Sequence, residues 1–248
     1  MSRPDLTDIT VILDRSGSME ELKAATIEAF NQFLLSQRDG AGSARMTLVQ
    51  FDDRYESVYE AQPIETAPAL TSESYQPRGS TALLDAIGRS LRSTRERLDK
   101  IDDSNRPGSV IIVIQTDGLE NASRSFTIAQ INDLIAELRD EQGWQFIFLG
   151  ANQDAIQSAV RMGMSADGAL TYNGDESGTR CAFDLVSKKV RMHRERRAAA
   201  EPNSIGWTDE ERRKASPGQA PPEPDRPSSQ PPENWRAQLR RTIDNLRR

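Results

Sequence analysis

Short runs of apolar residues alternate along the chain with longer segments in which apolar residues recur every three or four positions. The runs at 8–13, 45–51, 110–114 and 146–149 predict buried strands. The helical period appears at 20–37, from 81 to 98 and from 125 to 138, and weaker patterns predict a helix at 153–162, a strand at 169–172 and a helix at 176–197. Strands that alternate with helices indicate an α/β fold with a mostly parallel sheet covered on both faces.

One strand departs from this parallel arrangement. Residues 55–61 alternate in polarity and follow the strand at 45–51 after only three residues, Asp52 to Arg54, which we interpret as a turn. Such a short link joins antiparallel strands. The predicted fold class is therefore α/β, with a doubly wound, mostly parallel central sheet, one antiparallel edge strand, helices on both faces and a Pro-rich C-terminal tail.

The composition of the chain changes after about residue 200, where 8 of its 13 prolines lie. We predict a folded domain at 1–198 and a Pro-rich disordered linker with a short helical patch at 199–232. The patch contains a capping box after Trp207. Residues 233–248 predict a short basic helix whose apolar stripe, beginning at Trp235, docks on a partner or on the domain itself.

Charge and cysteine content narrow the function classes. The formal net charge is −6, but the first 187 residues carry 17 basic against 29 acidic residues, whereas the remainder carries 15 against 9. An acidic body argues against a nucleic-acid-binding core. The single cysteine excludes an internal disulfide, and the first strand follows Met1 without an apolar signal region. We expect a cytoplasmic protein with no anchor of its own.

Two of the predicted strands end in polar residues. Asp14, Ser16 and Ser18 follow the first strand, and Asp117 follows the strand at 110–114. In a doubly wound sheet these two strands are expected to be neighbours, and the ligand crevice opens at their carboxyl ends. Thr81 opens a helix whose amino end is expected at the same edge. We therefore expect these five side chains to lie close together.

The five residues offer only oxygen atoms, which are the ligands that hard divalent cations prefer. Ser16, Ser18 and Thr81 are neutral, so only Asp14 and Asp117 can offset a charge of +2. Mg²⁺ in particular keeps waters and takes few protein ligands. The sequence therefore predicts an open cation site in which an Asp or Glu of another protein fills the remaining position.

The three motifs that carry this site are Asp14-Arg15-Ser16-Gly17-Ser18-Met19, Gly79-Ser80-Thr81 and Thr116-Asp117-Gly118. Together they resemble the metal-ion-dependent adhesion site (MIDAS) of the von Willebrand factor type A (vWA) family, which uses D-x-S-x-S, a later Thr and a later Asp-Gly. The resemblance covers roughly residues 6–195 and implies a Rossmann-like vWA fold. It also implies that Asp14, Ser16, Ser18 and Thr81 are metal ligands, with Asp117 acting largely through water.

For function, the resemblance implies Mg²⁺ (or Mn²⁺ or Ca²⁺) as the bound metal and a protein partner that presents an acidic residue. It implies binding and scaffolding rather than catalysis, as an adaptor in a multi-protein system. The expected cytosolic location and the single cysteine are closer to stand-alone bacterial or phage members of the family than to secreted adhesion modules.

Two other functions stay open on the sequence alone. A metal-dependent hydrolase or phosphoryl-transfer enzyme is disfavoured, because Ser16 stands where haloacid-dehalogenase-type phosphatases carry a second aspartate and no P-loop occurs at a strand–helix junction. The basic tail could instead bind nucleic acid on an acidic scaffold, with a steep dependence on salt concentration.

Residues near the predicted site receive secondary roles. Asp85, one turn into its helix, is expected to be a local cap or a hydrogen-bond partner of a ligand. Glu120, Asn121 and Asn152 are expected on rim loops, where they could shape the choice of partner. His193, the single histidine, is expected to be solvated at the end of a basic helix.

Overall fold

The structure is a computed structural model that describes residues 3–151, 155–199 and 205–217. Its strands are β1 Arg3–Asp14, β2 Ser43–Phe51, β3 Tyr55–Pro63, β4 Pro107–Thr116, β5 Gln145–Ala151 and β6 Ala169–Tyr172. Its α-helices are α1 Lys23–Arg38, α2 Leu83–Asp99, α3 Ile128–Asp140, α4 Ala155–Arg161, α5 Glu176–Ala198 and α6 Asp209–Ala215. Short 3₁₀ turns lie at Gly17–Glu20, Asp103–Asn105 and Ala166–Gly168.

The strands form a sheet in the order β3-β2-β1-β4-β5-β6. β1 pairs in parallel with both β2 and β4, and β3 at the edge runs antiparallel to β2. The first strand is therefore central, and β4 lies directly beside it. The predicted fold class is confirmed, with its single antiparallel edge strand and helices on both faces.

Apolar side chains of the sheet enter two separate cores. In β1, Ile9, Val11 and Leu13 pack on the side of α1 and α5, whereas Ile12 packs on the side of α2 and α3. Because successive residues of a strand point to opposite faces, a strand buried on both faces is apolar at most positions on each face. This two-sided burial explains why the run at 9–13 shows no polar alternation.

The helices agree with the sequence prediction except at their first residues. α1 begins only after the 3₁₀ turn that carries Ser18, and α2 begins at Leu83, so Thr81 lies in a loop rather than inside the helix. At α3 the predicted start is marked by a reciprocal capping box between Thr127 and Gln130. Within the described ranges, no helix combines the length and the apolar character needed to cross a bilayer.

Residues 205–217 pack onto the body of the domain. Ile205, Trp207 and Ala215 are buried in the core on the α1 and α5 side, and α6 begins at the predicted capping box, formed by Thr208 and Glu211. The predicted limits at 198 and 232 stay predictions. The helix with the Trp235 stripe and most of the Pro-rich linker lie outside the described residues.

Candidate metal site

Asp14, the last residue of β1, has a fully buried carboxylate held by short contacts. The backbone N–H of Ser16 donates to its Oδ1 at 2.7 Å, and the hydroxyl of Thr116, at the end of β4, donates to its Oδ2 at 2.5 Å. The hydroxyl of Tyr75 donates to the backbone carbonyl of Asp14. Neighbouring strand ends therefore fix this carboxylate at the edge of the sheet. Tyr75 lies between β3 and α2, and no pattern in the sequence marked it.

The other four predicted ligands lie beside Asp14. The Oγ atoms of Ser16 and Ser18 are 3.2 Å apart, and Ser18 Oγ donates to Oδ1 of Asp117 at 2.7 Å. A Cβ atom placed on Gly118 would lie 3.1 Å from Oγ1 of Thr81 and 3.8 Å from Oγ of Ser18. The structure thus brings side chains from three distant loops into one cluster, hereafter the oxygen cluster. Ser18 is exposed and Asp117 is half-buried, so the cluster is open to solvent on their side.

The electrostatics of the oxygen cluster are those of carboxylates without a cation. Neither Asp14 nor Asp117 takes part in an ion pair with any described residue. Burial raises the pKa of Asp14 to about 6, and the charge of Asp117 adds to this effect. Burial likewise raises the pKa of Asp117. A pKa raised in this way means that the ionised form lacks stabilisation, which an added positive charge would supply.

The donor set fits a hard divalent cation. It consists of two carboxylates and three hydroxyls, all oxygen ligands of the type that Mg²⁺ and Ca²⁺ prefer. Across the described ranges, no group of three or more His, Cys, Asp and Glu residues is placed to hold a metal. Neutral hydroxyls would then complete the protein's share of the coordination.

Arg15 lies between two of the predicted ligands in sequence, but its side chain turns away from them. Its Nε donates to Oδ2 of Asp52 at 3.0 Å, and its Nη1 donates to Oε2 of Glu56 at 2.7 Å. Arg78 donates to the same oxygen of Asp52 at 2.8 Å. Burial raises the pKa of Asp52, but the bonds from Arg78, the Arg54 backbone and Arg15 outweigh it and leave the pKa below its usual value.

Asp52, Arg15 and Arg78 also join the loops of the site through backbone hydrogen bonds. The backbone N–H of Arg78 donates to the carbonyl of Arg15 at 2.8 Å, and that of Ala82 donates to the carbonyl of Asp52 at 2.9 Å. The loop that carries Thr81 is thereby tied at both ends to the loops after β1 and β2. Asp52 lies in the turn that the sequence predicted, but its burial at the centre of this network was not predicted.

The rim residues hold the other side of the Thr81 loop. Asn121 accepts from the backbone N–H of Thr81 at 2.9 Å and donates its own N–H to the Thr81 carbonyl at 3.0 Å. Glu120 accepts from the backbone N–H of Leu84 at 2.9 Å. Both side chains were expected to shape the choice of partner, and here they position Thr81 and the start of α2. Asn152 lies outside the described residues.

Asp85 supports the loop that follows β4 and does not reach the oxygen cluster through any hydrogen bond among the described residues. Its carboxylate accepts the backbone N–H groups of Ser125 at 2.8 Å and Phe126 at 2.9 Å. Burial raises its pKa, but these bonds and that from Arg124 lower it below the usual value. Asp85 therefore acts as a cap, as the sequence suggested. The backbone N–H groups that it caps belong to residues 124–126, which precede α3.

His193 was expected to be solvated, and this was wrong. It is buried, and its Nε2 lies 2.7 Å from Oγ of Ser109, near the start of β4 and thus at the opposite edge of the sheet from the oxygen cluster. Burial, and secondarily the charge of Arg197, lower its pKa to about 4, so the ring is neutral at physiological pH. The basic composition of its helix hid this burial.

Comparison with known proteins identifies the family. The sequence model of the von Willebrand factor type A domain matches residues 8–188. The chain belongs to this family. The resemblance inferred from the three motifs is confirmed at this level, and no curated protein matches the chain.

Solved vWA structures share the fold at low sequence identity. Proximal thread matrix protein 1 from the mussel byssus, in a form with a zinc-occupied MIDAS motif, has a TM-score of 0.50 at 18% identity over 73% of this chain and 45% of its own. The von Willebrand factor type A protein from Catenulispora acidiphila has a TM-score of 0.51 at 17% identity, over 74% of this chain and 42% of its own. The vWF domain of the type V pili tip protein Mfa5 from Porphyromonas gingivalis has a TM-score of 0.52 at 12% identity, over 75% of this chain and 95% of its own. The chain thus spans less than half of the first two proteins, and these likenesses support the vWA fold.

Proposed function

We propose that this vWA domain is a metal-dependent protein-interaction module. Asp14, Ser16, Ser18 and Thr81 bind Mg²⁺ directly, with Mn²⁺ or Ca²⁺ as alternatives, and Asp117 acts largely through water. An Asp or Glu of a partner protein completes the coordination. The observation that supports this proposal is the convergence of five oxygen-bearing side chains, from three loops, on a point that no described cation neutralises.

The residues of the oxygen cluster would bind the ion and also leave it able to bind a carboxylate of a partner. Asp14 is buried and positioned by bonds from Ser16 and Thr116, so it supplies charge at a fixed point. Ser16, Ser18 and Thr81 supply neutral oxygens that add no further negative charge. When bound, the metal offers positive charge to an incoming carboxylate on the solvent side, where Ser18 is exposed.

We propose an adaptor or scaffold role in a multi-protein system, and no enzymatic one. This rests on the vWA family. The stand-alone type, the cytoplasmic location and a binding role for the basic tail stay predictions. Fractionation of cells that express the full chain would test the location directly.

The metal site is tested by substitution at its buried carboxylate. We expect Asp14→Ala to lower Mg²⁺ affinity at least about 100-fold, since one of only two charged ligands is lost. Thr81→Ala, which removes a neutral ligand, should lower it less. Titration calorimetry with Mg²⁺, and Mn²⁺ binding followed by electron paramagnetic resonance, measure the effect.

The matched control for this test is Asp133→Ala, which removes an exposed carboxylate from α3. It should bind Mg²⁺ as the wild type does. Thermal unfolding with Mg²⁺ and with chelator should show a metal-dependent rise in the wild type and in the control, but not in Asp14→Ala. Equal Mg²⁺ affinity in Asp14→Ala and the wild type would overturn the proposal.

A further inference from the structure

A small apolar cleft opens beside the oxygen cluster. It lies between the start of α2, the loop at 118–120, the start of α3 and the end of α4, with a volume of about 190 Å³. The side chains that matter here are Leu83, Leu84, Leu119, Ile128, Arg161 and Met162. An apolar cavity of about 150 Å³ is enough to hold a benzene ring. The cleft therefore has room for one apolar side chain of a partner.

The rim of the cleft exposes large apolar side chains. Leu119 is 67% exposed and Ile128 is 46% exposed, and both belong to the small set of large apolar residues that the described chain leaves in water. Leu119 follows the candidate ligand Asp117 by two residues. Apolar area held at a loop tip beside a binding site would be removed from water by a partner, which favours binding.

The cleft and the oxygen cluster are continuous. Gly118 lines the cleft, and a Cβ atom placed on it would lie 3.1 Å from Oγ1 of Thr81 and 3.8 Å from Oγ of Ser18. On the other wall, Leu83 and Leu84 of the cleft come two and three residues after Thr81. One short peptide segment can therefore place a carboxylate at the cluster and a neighbouring side chain in the cleft.

The charge at the cleft favours an acidic segment. Arg161 and Glu120 both line the cleft. The Glu120 carboxylate already accepts the backbone N–H groups of Leu84, Ala122 and Ser123. Arg161 donates to the neutral side chain of Gln157 at 3.3 Å and forms no ion pair among the described residues. An arginine at the edge of an apolar cleft whose charge no described carboxylate pairs is complementary to negative charge on the partner.

We propose that the cleft is a specificity site for an acidic partner segment in which the metal-binding carboxylate stands next to an apolar residue. The apolar side chain fills the cleft between Leu83, Leu119 and Ile128, and Arg161 favours further negative charge on the same segment. This inference rests on the proposed function, because the carboxylate is bound through the metal.

A random peptide library displayed on phage tests the proposal. The full-length chain, loaded with Mg²⁺, selects peptides that are then eluted with chelator. The same selection is made on a double variant, Leu119→Ser with Ile128→Ser, whose changes are at exposed positions. The matched control is Leu35→Ser, at a leucine of α1 that is 48% exposed and does not line the cleft.

On the wild type and on the control, we expect peptides with an Asp or Glu beside an apolar residue. On the double variant, the acidic residue should persist and the apolar preference should disappear. A synthetic peptide from the selection should bind the double variant about tenfold more weakly, since the burial of one apolar side chain is lost. Its affinity should also fall in Arg161→Glu. Mg²⁺ affinity should be unchanged in these variants.

The outcomes separate this inference from the proposed function. Acidic peptides without a neighbouring apolar preference, or an equal preference on the double variant, would overturn the cleft proposal and leave the metal-dependent function intact. A selection that yields no chelator-eluted peptides, or peptides without an acidic residue, would overturn both.

Discussion

Asp14 ends β1, and Asp52 follows β2, the parallel strand beside it. Both carboxylates are fully buried, but their charges are compensated differently. Asp52 receives two arginines, Arg15 and Arg78, and its pKa is lowered. Among the described residues, Asp14 receives hydroxyl and N–H donors and no cation, and burial raises its pKa to about 6. The arginine that stands next to Asp14 in sequence pairs with Asp52 in space.

This difference shows how one edge of a sheet can hold two kinds of buried carboxylate. A buried carboxylate with an internal cation is part of the scaffold, because its charge is already compensated. A buried carboxylate without one is destabilising until a cation comes from outside. Because Arg15 pairs with Asp52, the loops of the site are joined and Asp14 has no ion pair among the described residues, as the proposed metal site requires.

The strongest test of this comparison is to remove the carboxylate charge of Asp52. Asp52→Asn leaves Arg15, which is 4% exposed, without its ion pair in the interior. We expect the free energy of unfolding of the metal-free protein to fall by about 3 kcal/mol, at the lower end of the range for a broken buried pair because Glu56 still contacts Arg15. Urea unfolding measures this. Asp53→Asn, at the exposed neighbour, should change little, and equal stability of the two variants would show that Asp52 is not the centre of the network.

The corresponding substitution Asp14→Asn should have the opposite effect and stabilise the metal-free protein. In the folded state the pKa of Asp14 is raised from 3.8 to about 6, so this state binds more protons than the unfolded state between these values. The stabilisation of the folded state by protonated Asp14 is therefore fully present below pH 3.8 and is lost as the pH rises through about 6. Near neutral pH, Asp14→Asn should be more stable than the wild type by at most about 3 kcal/mol.

Two measurements test this prediction: the pH dependence of the stability difference and the effect of Mg²⁺ on stability. The gain of Asp14→Asn over the wild type should vanish at low pH, and saturating Mg²⁺ should stabilise the wild type alone. Urea unfolding over a pH series, with chelator and then with Mg²⁺, measures both effects. A variant that is less stable than the wild type at every pH would show that Asp14 is compensated internally, as Asp52 is.

The smallest expected effect concerns the packing of the oxygen cluster. In Gly118→Ala the new Cβ atom would lie 3.1 Å from Oγ1 of Thr81, so the hydroxyl must move by a few tenths of an ångström. We expect Mg²⁺ affinity to fall by about tenfold or less, at the low end of the effects of changes beside metal ligands. Calorimetric titration measures this, and thermal unfolding with chelator should show an unchanged fold. Unaltered affinity would place Thr81 outside the coordination.

Much of the fold could be read from local patterns. The buried runs at 9–13 and 110–114 marked the central strands, and the three-residue turn before Tyr55 marked the antiparallel edge. The topology then placed Asp14, Thr81 and Asp117 at one edge before any distance was known. Helix starts were less certain, because the 3₁₀ turn at Gly17–Glu20 and the loop at Thr81 carry the same residue types as a first helical turn.

The supporting contacts could not be read in this way. Glu120, Asn121 and Asp85 bond to backbone groups some 35 to 40 residues distant, and composition carries no signal for such pairs. Tyr75 beneath Asp14 belongs to a loop without a periodic pattern. The burial of His193 depends on the packing of α5 against β4, and a basic helix end gave the opposite expectation.

The sequence by itself determined the α/β architecture, the vWA family and which oxygen-bearing residues stand at the strand ends, because periodicity and short motifs are local properties. Only the tertiary structure decided which buried carboxylate receives a cation and where an apolar cleft adjoins the site. Arg15 and Asp52 are 37 residues apart in sequence, and their pairing depends on the register of β1 with β2 and on the loop at Arg78. The charge state of a buried group is set by its neighbours in space, which the order of residues along the chain does not specify.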